Sequence, residues 1–121
     1  MSPAVWAGVF FIGGLGSVTR YVVDRAVARR AGRSFPFGTL TVNITGSAVL
    51  GFIFGLALSH QAFVLAGVSF VGAYTTFSTW MFETQRLTEE RQIWPAVANI
   101  GVSLALGLAA AAAGLAIAGM L

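Results

Sequence analysis

The sequence predicts an all-α membrane protein whose chain crosses the bilayer four times, with the third helix broken near its middle. Three observations lead there. The chain is 57% hydrophobic and only 9% charged, with a mean hydropathy of +0.84. Soluble domains carry about 25% charged residues, so this composition belongs to a membrane protein. Apolar stretches also recur at the right length, since a ~30 Å hydrocarbon core takes about 20 residues per helix. Spans at about 3–28, 37–58, 62–82 and 93–121 use the whole chain as one four-helix domain. Finally, the third stretch carries a polar cluster that a lipid-crossing helix normally avoids.

Composition also excludes several classes. There is no cysteine, hence no disulfide framework and no thiolate metal site. A net charge of +3 with a pI near 10.7 points superficially to nucleic acid. All seven basic residues are Arg, however, and most flank the spans, which is a topology signal. No nucleic-acid partner is expected.

The first span begins after Met1-Ser2-Pro3, which lacks the basic region of a signal peptide, so no cleaved leader is expected. Gly13, Gly14 and Gly16 superficially match a dinucleotide loop, but no strand precedes them. Close helix packing is the better reason for them. Arg20 stands before the span ends, with Asp24 four residues on and Arg25 next. An arginine there can snorkel to the interface. The loop Arg29, Arg30, Gly32, Arg33 leads to Pro36.

The second span, Phe37 to Leu58, holds no charge. Thr39, Asn43 and Ser47 fall at i, i+4 and i+8, which makes one polar stripe on an apolar cylinder. An Asn amide in hydrocarbon needs a partner, so Asn43 faces protein or water. Either it bridges two helices, or its two N–H hydrogens face an anion. Gly51-x-x-x-Gly55 is a weak packing signal. Ser59-His60-Gln61 reads as a short turn, with His60 a loop residue far from any metal-ligand spacing.

The third span, Ala62 to Phe82, contains Gly72-Ala73-Tyr74-Thr75-Thr76-Phe77-Ser78-Thr79-Trp80. Four hydroxyls within five residues compete for backbone hydrogen bonds, and β-branched Thr beside Gly lowers helix propensity. A broken helix is the expectation; a Ser/Thr face packed on a neighbour is the alternative. Broken backbone at membrane depth is tolerated only inside protein or along a polar cavity. Freed carbonyls at such breaks often coordinate ions. Phe77 and Trp80 share a face with the break and favour an ion site. From Glu83 to Arg91 the chain reads as a charged, solvated connector. The fourth span has Pro95 in its first turn, where the missing N–H does no harm. Asn99 and Ser103, at i and i+4, extend the polar track, and Ala109 to Ala113 with Gly107 and Gly114 makes a smooth packing surface.

Three of these segments resemble motifs of one family. Gly72-x-x-Thr75-Thr76-Phe77-Ser78-Thr79 resembles the signature of the Fluc (CrcB) family of fluoride channels. Gly38-Thr39-Leu40-x-Val42-Asn43-x-x-Gly46 is similar to its second motif, and Gly13-Gly14-x-Gly16-x-x-x-Arg20-Tyr21 to its first. One position departs: the family's second aromatic is usually Phe, and here it is Trp80. The resemblance implies an antiparallel dimer in the cell membrane that passes fluoride outward passively and confers fluoride resistance. It places Arg20 in the conducting structure, drawing anions toward the pore mouth. It also implies a structural sodium ion, held at the dimer interface by the backbone carbonyls of Gly72 and Thr75.

The residues suggest how such a path works. Fluoride is tightly hydrated, so donors must replace its water. The hydroxyls of Thr39, Ser78, Thr79 and Ser103 and the Asn43 amide are the neutral donors available. Phe77 and Trp80 can offer positive ring edges. Rival readings are a small four-helix drug or cation exporter and a noncatalytic membrane assembly subunit. The exporter needs an acid deep in a span, whereas Asp24, Glu83, Glu89 and Glu90 lie near span ends. An enzyme is not expected, since no nucleophile–base pair is visible and Ser78 lies outside a G-x-S-x-G elbow.

Charge predicts orientation. Every arginine belongs to one end of the bundle, and the end with the termini has none. The arginine loops are therefore expected in the cytoplasm and both termini outside. Family members that insert both ways need balanced charge; others pair two oppositely biased chains. The expectation is an oppositely oriented paralogue as natural partner, with a homodimer as the alternative.

Overall fold

The structure is a computed structural model that describes residues 1–121. It is all-helical, with four helices long and apolar enough to cross a membrane. Helix α1 (Pro3–Ala31) starts at Ser2, whose hydroxyl accepts the Val5 N–H, and Pro3 follows where no amide proton is needed. It ends at Gly32, whose φ of +81° lies in the region only glycine enters freely. Helix α2 (Phe37–Gly55) follows a five-residue loop, and a short turn leads to the third span, His60–Glu89.

That span has several parts. Helix α3 (His60–Phe63) runs into a π-helical stretch, Val64–Val71, and then α4 (Gly72–Tyr74). Thr75 is extended, with φ −80° and ψ 161°, and α5 (Ser78–Glu89) resumes the helix beyond it. Helix α6 (Ile93–Gly119) completes the bundle. The break changes the span's neighbours. Its first half, the π stretch and α4, packs against α1, and its second half, α5, packs against α6. The most extensive pairing is α2 with α6.

Glycine allows these approaches. A Cβ at Gly51 would stand 2.1 Å from the Ala111 carbonyl oxygen, and one at Gly114 2.1 Å from that of Ala48. A Cβ at Gly16 would come 2.4 Å from the Phe70 oxygen, whereas at Gly14 nothing lies within 4 Å. Gly16 therefore has the packing role expected of the first glycine cluster, and Gly14 does not. Only 16 of 121 residues are buried, so most apolar surface is left for lipid or another chain.

Two expectations are corrected. His60 is not a loop residue: it opens α3, and Ser59 caps that helix by accepting the Ala62 N–H at 3.3 Å. The chain from Glu83 to Glu89 is not a connector but the end of α5. Arg86 explains why the helix persists. Its guanidinium pairs with Glu83 at 2.8 Å and Glu90 at 3.0 Å, neighbours on one helix face. It also donates to the carbonyls of Arg33 at 3.2 Å and Ser34 at 3.4 Å. Those bonds put the Arg29–Arg33 segment and the α5 end on the same side of the bundle.

Candidate functional site around the helix break

The hydrogen-bond ladder of the third span lapses at Thr76. In a continuous helix its N–H would reach the Gly72 carbonyl. Here the N–H donates to Asn43 Oδ1 at 2.8 Å, and Asn43 Nδ2 donates to the Thr76 carbonyl at 2.9 Å. The backbone N–H can only donate and the carbonyl only accept, so this pairing forces the orientation of the amide. One side chain of α2 thus replaces both missing backbone partners. Of the two roles open to Asn43, the structure places it across the break, with one Nδ2 hydrogen outside that pairing.

Other residues shape the same corner. Thr76 Oγ1 accepts the Thr79 N–H at 3.2 Å and so caps α5. Thr45 and Tyr74 hydroxyls meet at 2.8 Å, and Tyr74 stacks on Phe70 with ring centroids 6.2 Å apart. Gly46 leaves room for the bend: a Cβ there would stand 2.3 Å from Thr75 Cγ2. Thr75 Oγ1 donates back to the Val71 carbonyl at 3.0 Å. The backbone carbonyls of Gly72 and Thr75 accept no hydrogen bond from the chain.

The break borders a cavity of about 640 Å³. Asn43, Ser47, Phe77, Trp80 and Ser103 line it, as do Gly72 and Thr75. Phe77 and Trp80 meet edge to face, with centroids 5.9 Å apart and planes at 85°. Phe77 is 70% exposed although it lies mid-span, so this chain covers the cavity on one side only. Ser103 is buried, and its Oγ has no partner. Ser47 donates to the Asn43 carbonyl at 2.7 Å.

A second cavity of about 290 Å³ lies at the arginine-bearing end. Thr39 and Thr79 line it with Asp24, Arg33, Glu83 and Arg86. The polar stripe of α2 therefore runs from one cavity into the other, Thr39 in the second and Asn43 and Ser47 in the first. Two sequence-selected residues are not brought in: Ser78 is exposed and lines neither cavity, and Arg20 lines neither. Arg20 is half-buried with its Nε unpaired, and no ion pair joins it to Asp24. Thr76 and Gly46 were missed as site residues. The signal for Thr76 was its place three residues before Thr79, the ordinary spacing of a helix cap.

Four spanning helices around a polar-edged cavity define a small multi-pass membrane protein. The chain belongs to the family described as CrcB-like protein, Camphor Resistance (CrcB), whose model matches residues 7–115. It is 66% identical over 114 residues to the "Fluoride-specific ion channel FluC 2" of Mycobacterium bovis, covering 94% of this chain and 90% of the relative. With the FluC 2 protein of Mycolicibacterium paratuberculosis it shares 69% over 108 residues, 89% of this chain and 88% of the relative. The "Fluoride-specific ion channel FluC 1" of Leifsonia xyli is 42% identical over 124 residues, covering 99% and 90%.

Removing the Asn43 amide should be felt first as stability. Asn43→Ala leaves the Thr76 N–H and carbonyl without partners, at about 1–3 kcal/mol each. A thermal-unfolding series in detergent is expected to show a clearly lowered midpoint; an unchanged midpoint would mean that the break holds itself.

Proposed function

We propose that this chain is a fluoride channel of the cell membrane, which lets fluoride leave passively and so protects the cell. The observation that carries the reading is the neutral polar edge of the larger cavity at a helix break, in a chain whose relatives are named fluoride-specific channels. Fluoride gives up its water to the free Nδ2 hydrogen of Asn43, the Ser103 hydroxyl and the positive ring edges of Phe77 and Trp80. None of these carries a full charge. Weak successive sites let an ion enter and also leave. Thr39 and Thr79 offer hydroxyls in the second cavity, between the first and the arginine-bearing end, and Arg20 raises the local anion concentration at that end. Ser78 stands outside both cavities, exposed at the first turn of α5. No energy coupling is required, because a potential of 100 mV, negative inside, favours exit of a monovalent anion by about 2.3 kcal/mol. Catalysis has no part in this reading.

Purified chain in liposomes is expected to release fluoride down its gradient, with chloride retained. Phe77→Ile keeps bulk but loses the ring edge, and should abolish most of that release; Trp80→Phe keeps a ring and should lose far less. Chloride release equal to fluoride, or full activity in Phe77→Ile, would refute the assignment of this path.

Two further parts of the reading concern assembly. The open side of the cavity and the exposed Phe77 favour a second chain, packed antiparallel, as the other wall. The Gly72 and Thr75 carbonyls, free of donors and bordering the cavity, suit a hard cation such as sodium, which would hold the break of each chain. Replacing sodium by N-methylglucamine should lower the thermal midpoint of the assembled protein, and an identical midpoint in both salts would argue against the ion. The arginine bias favours one orientation, and with it an oppositely oriented paralogue over a homodimer. The chain has no native cysteine, so single cysteines at Ser2 and in the Arg29–Arg33 loop can be labelled cleanly. Labelling from outside should reach Ser2 alone; equal labelling of both sites would show dual insertion and remove the need for a paired chain.

A further inference from the structure

Asn99 binds Trp80 from two directions. Its backbone carbonyl accepts the indole N–H at 2.9 Å. Its side-chain Nδ2 donates to the Trp80 carbonyl at 3.3 Å and to the Thr84 hydroxyl at 2.9 Å. Thr84 Oγ1 in turn donates to the Trp80 carbonyl at 2.9 Å, which leaves its lone pair for Asn99. The Trp80 carbonyl has no proton, so the amide nitrogen must face it and the orientation is settled by chemistry. The same orientation leaves Asn99 Oδ1 buried without a donor. An orphaned buried acceptor bears its full desolvation penalty, so the amide is held this way by what its nitrogen does.

Asn99 is 0% exposed and does not line the larger cavity, while Trp80 does. We infer that Asn99 is a positioning residue, which fixes the plane of the Trp80 indole and occupies its N–H so that the ring meets the ion with its carbon edge. The inference rests on the proposed place of Trp80 in the fluoride path. An aromatic ring has a negative face and a positive edge, so its tilt decides whether it attracts or repels an anion. A free indole N–H would add one strong donor to a row of weak ones and retain the ion it should pass on. Tying that proton to the α6 backbone makes the larger ring behave like phenyl. The edge-to-face contact with Phe77 is kept by the same tether.

The test uses the assembled full chain with Trp6→Phe and Trp94→Phe. Both indoles are exposed, and neither lines a described cavity, so Trp80 becomes the single tryptophan, excited selectively at wavelengths where Tyr21 and Tyr74 do not absorb. Asn99→Leu keeps the branched shape and removes the amide that clamps the Trp80 carbonyl and the Thr84 hydroxyl; the residue-99 carbonyl that accepts the indole N–H remains but loses that clamp. Trp80 anisotropy is expected to fall, and fluoride release from liposomes to drop about tenfold, within the range that a misplaced group costs. The drop should be clearly smaller when Asn99→Leu is made on Trp80→Phe, relative to that variant's own rate, because the two sites are coupled. Equal drops on both backgrounds, unchanged anisotropy, or unchanged release would each overturn the inference. If Asn99→Leu does not assemble, Thr84→Val removes one of the two acceptors and should lower anisotropy and release in the same direction; no change in either would also overturn it. Full release by Trp80→Ala would instead show that the underlying path is wrong, whatever the anisotropy reports.

Discussion

The architecture depends on one side chain replacing a turn of helix. Asn43 accepts from the Thr76 N–H and donates to the Thr76 carbonyl, two of the backbone groups that the break leaves without helical partners. Backbone groups in a bilayer have no water to fall back on, so a break without such a partner would close up again. With it, the third span changes direction and neighbour. Its first half stays on α1, its second half moves to α6, and the cavity opens beside the bend. The aromatic pair, the two unpaired carbonyls and the α5 cap all follow from that single substitution of amide for backbone.

Around the break the bundle is tightly constrained. Gly46 gives Thr75 space, Gly16 lets α1 reach the Phe70 carbonyl, and Gly51 and Gly114 bring α2 and α6 into backbone contact. In lipid there is little hydrophobic drive for helices to associate, so close approach and interhelical hydrogen bonds supply the cohesion. Asn43 with Thr76, Thr45 with Tyr74 and Asn99 with Trp80 are three such bonds, all within or next to the broken span. At Asn43, Thr76 and Trp80 the groups that hold the helices together also border the larger cavity.

Much of this was legible in the sequence, because the bilayer enforces strong rules. Span length, the absence of charge within α2 and the hydroxyl cluster each have one dominant physical meaning. What escaped depends on partners distant in sequence. Asn43 and Thr76 are 33 residues apart, and either role for the amide needs the same composition. Trp80 and Asn99 are 19 apart, and nothing in the Asn99–Ser103 spacing reveals which chain it grips. The π stretch Val64–Val71 has no proline to announce it and shows only in the backbone. The length of α5 was readable: Glu83, Arg86 and Glu90 are spaced for ion pairs on a helix. Reading those charges as mere solvation hid the pattern.

Amide exchange at the break tests the central claim most directly. Thr76 and Phe77 are adjacent and both lie outside helices, yet the Thr76 N–H is bonded to Asn43 and the Phe77 N–H has no partner in the chain. With ¹⁵N-labelled threonine and phenylalanine in detergent micelles, the account predicts slow exchange at Thr76, comparable to its helical neighbours, and fast exchange at Phe77. Equally fast exchange at both amides would contradict it, since the break would then stand without Asn43.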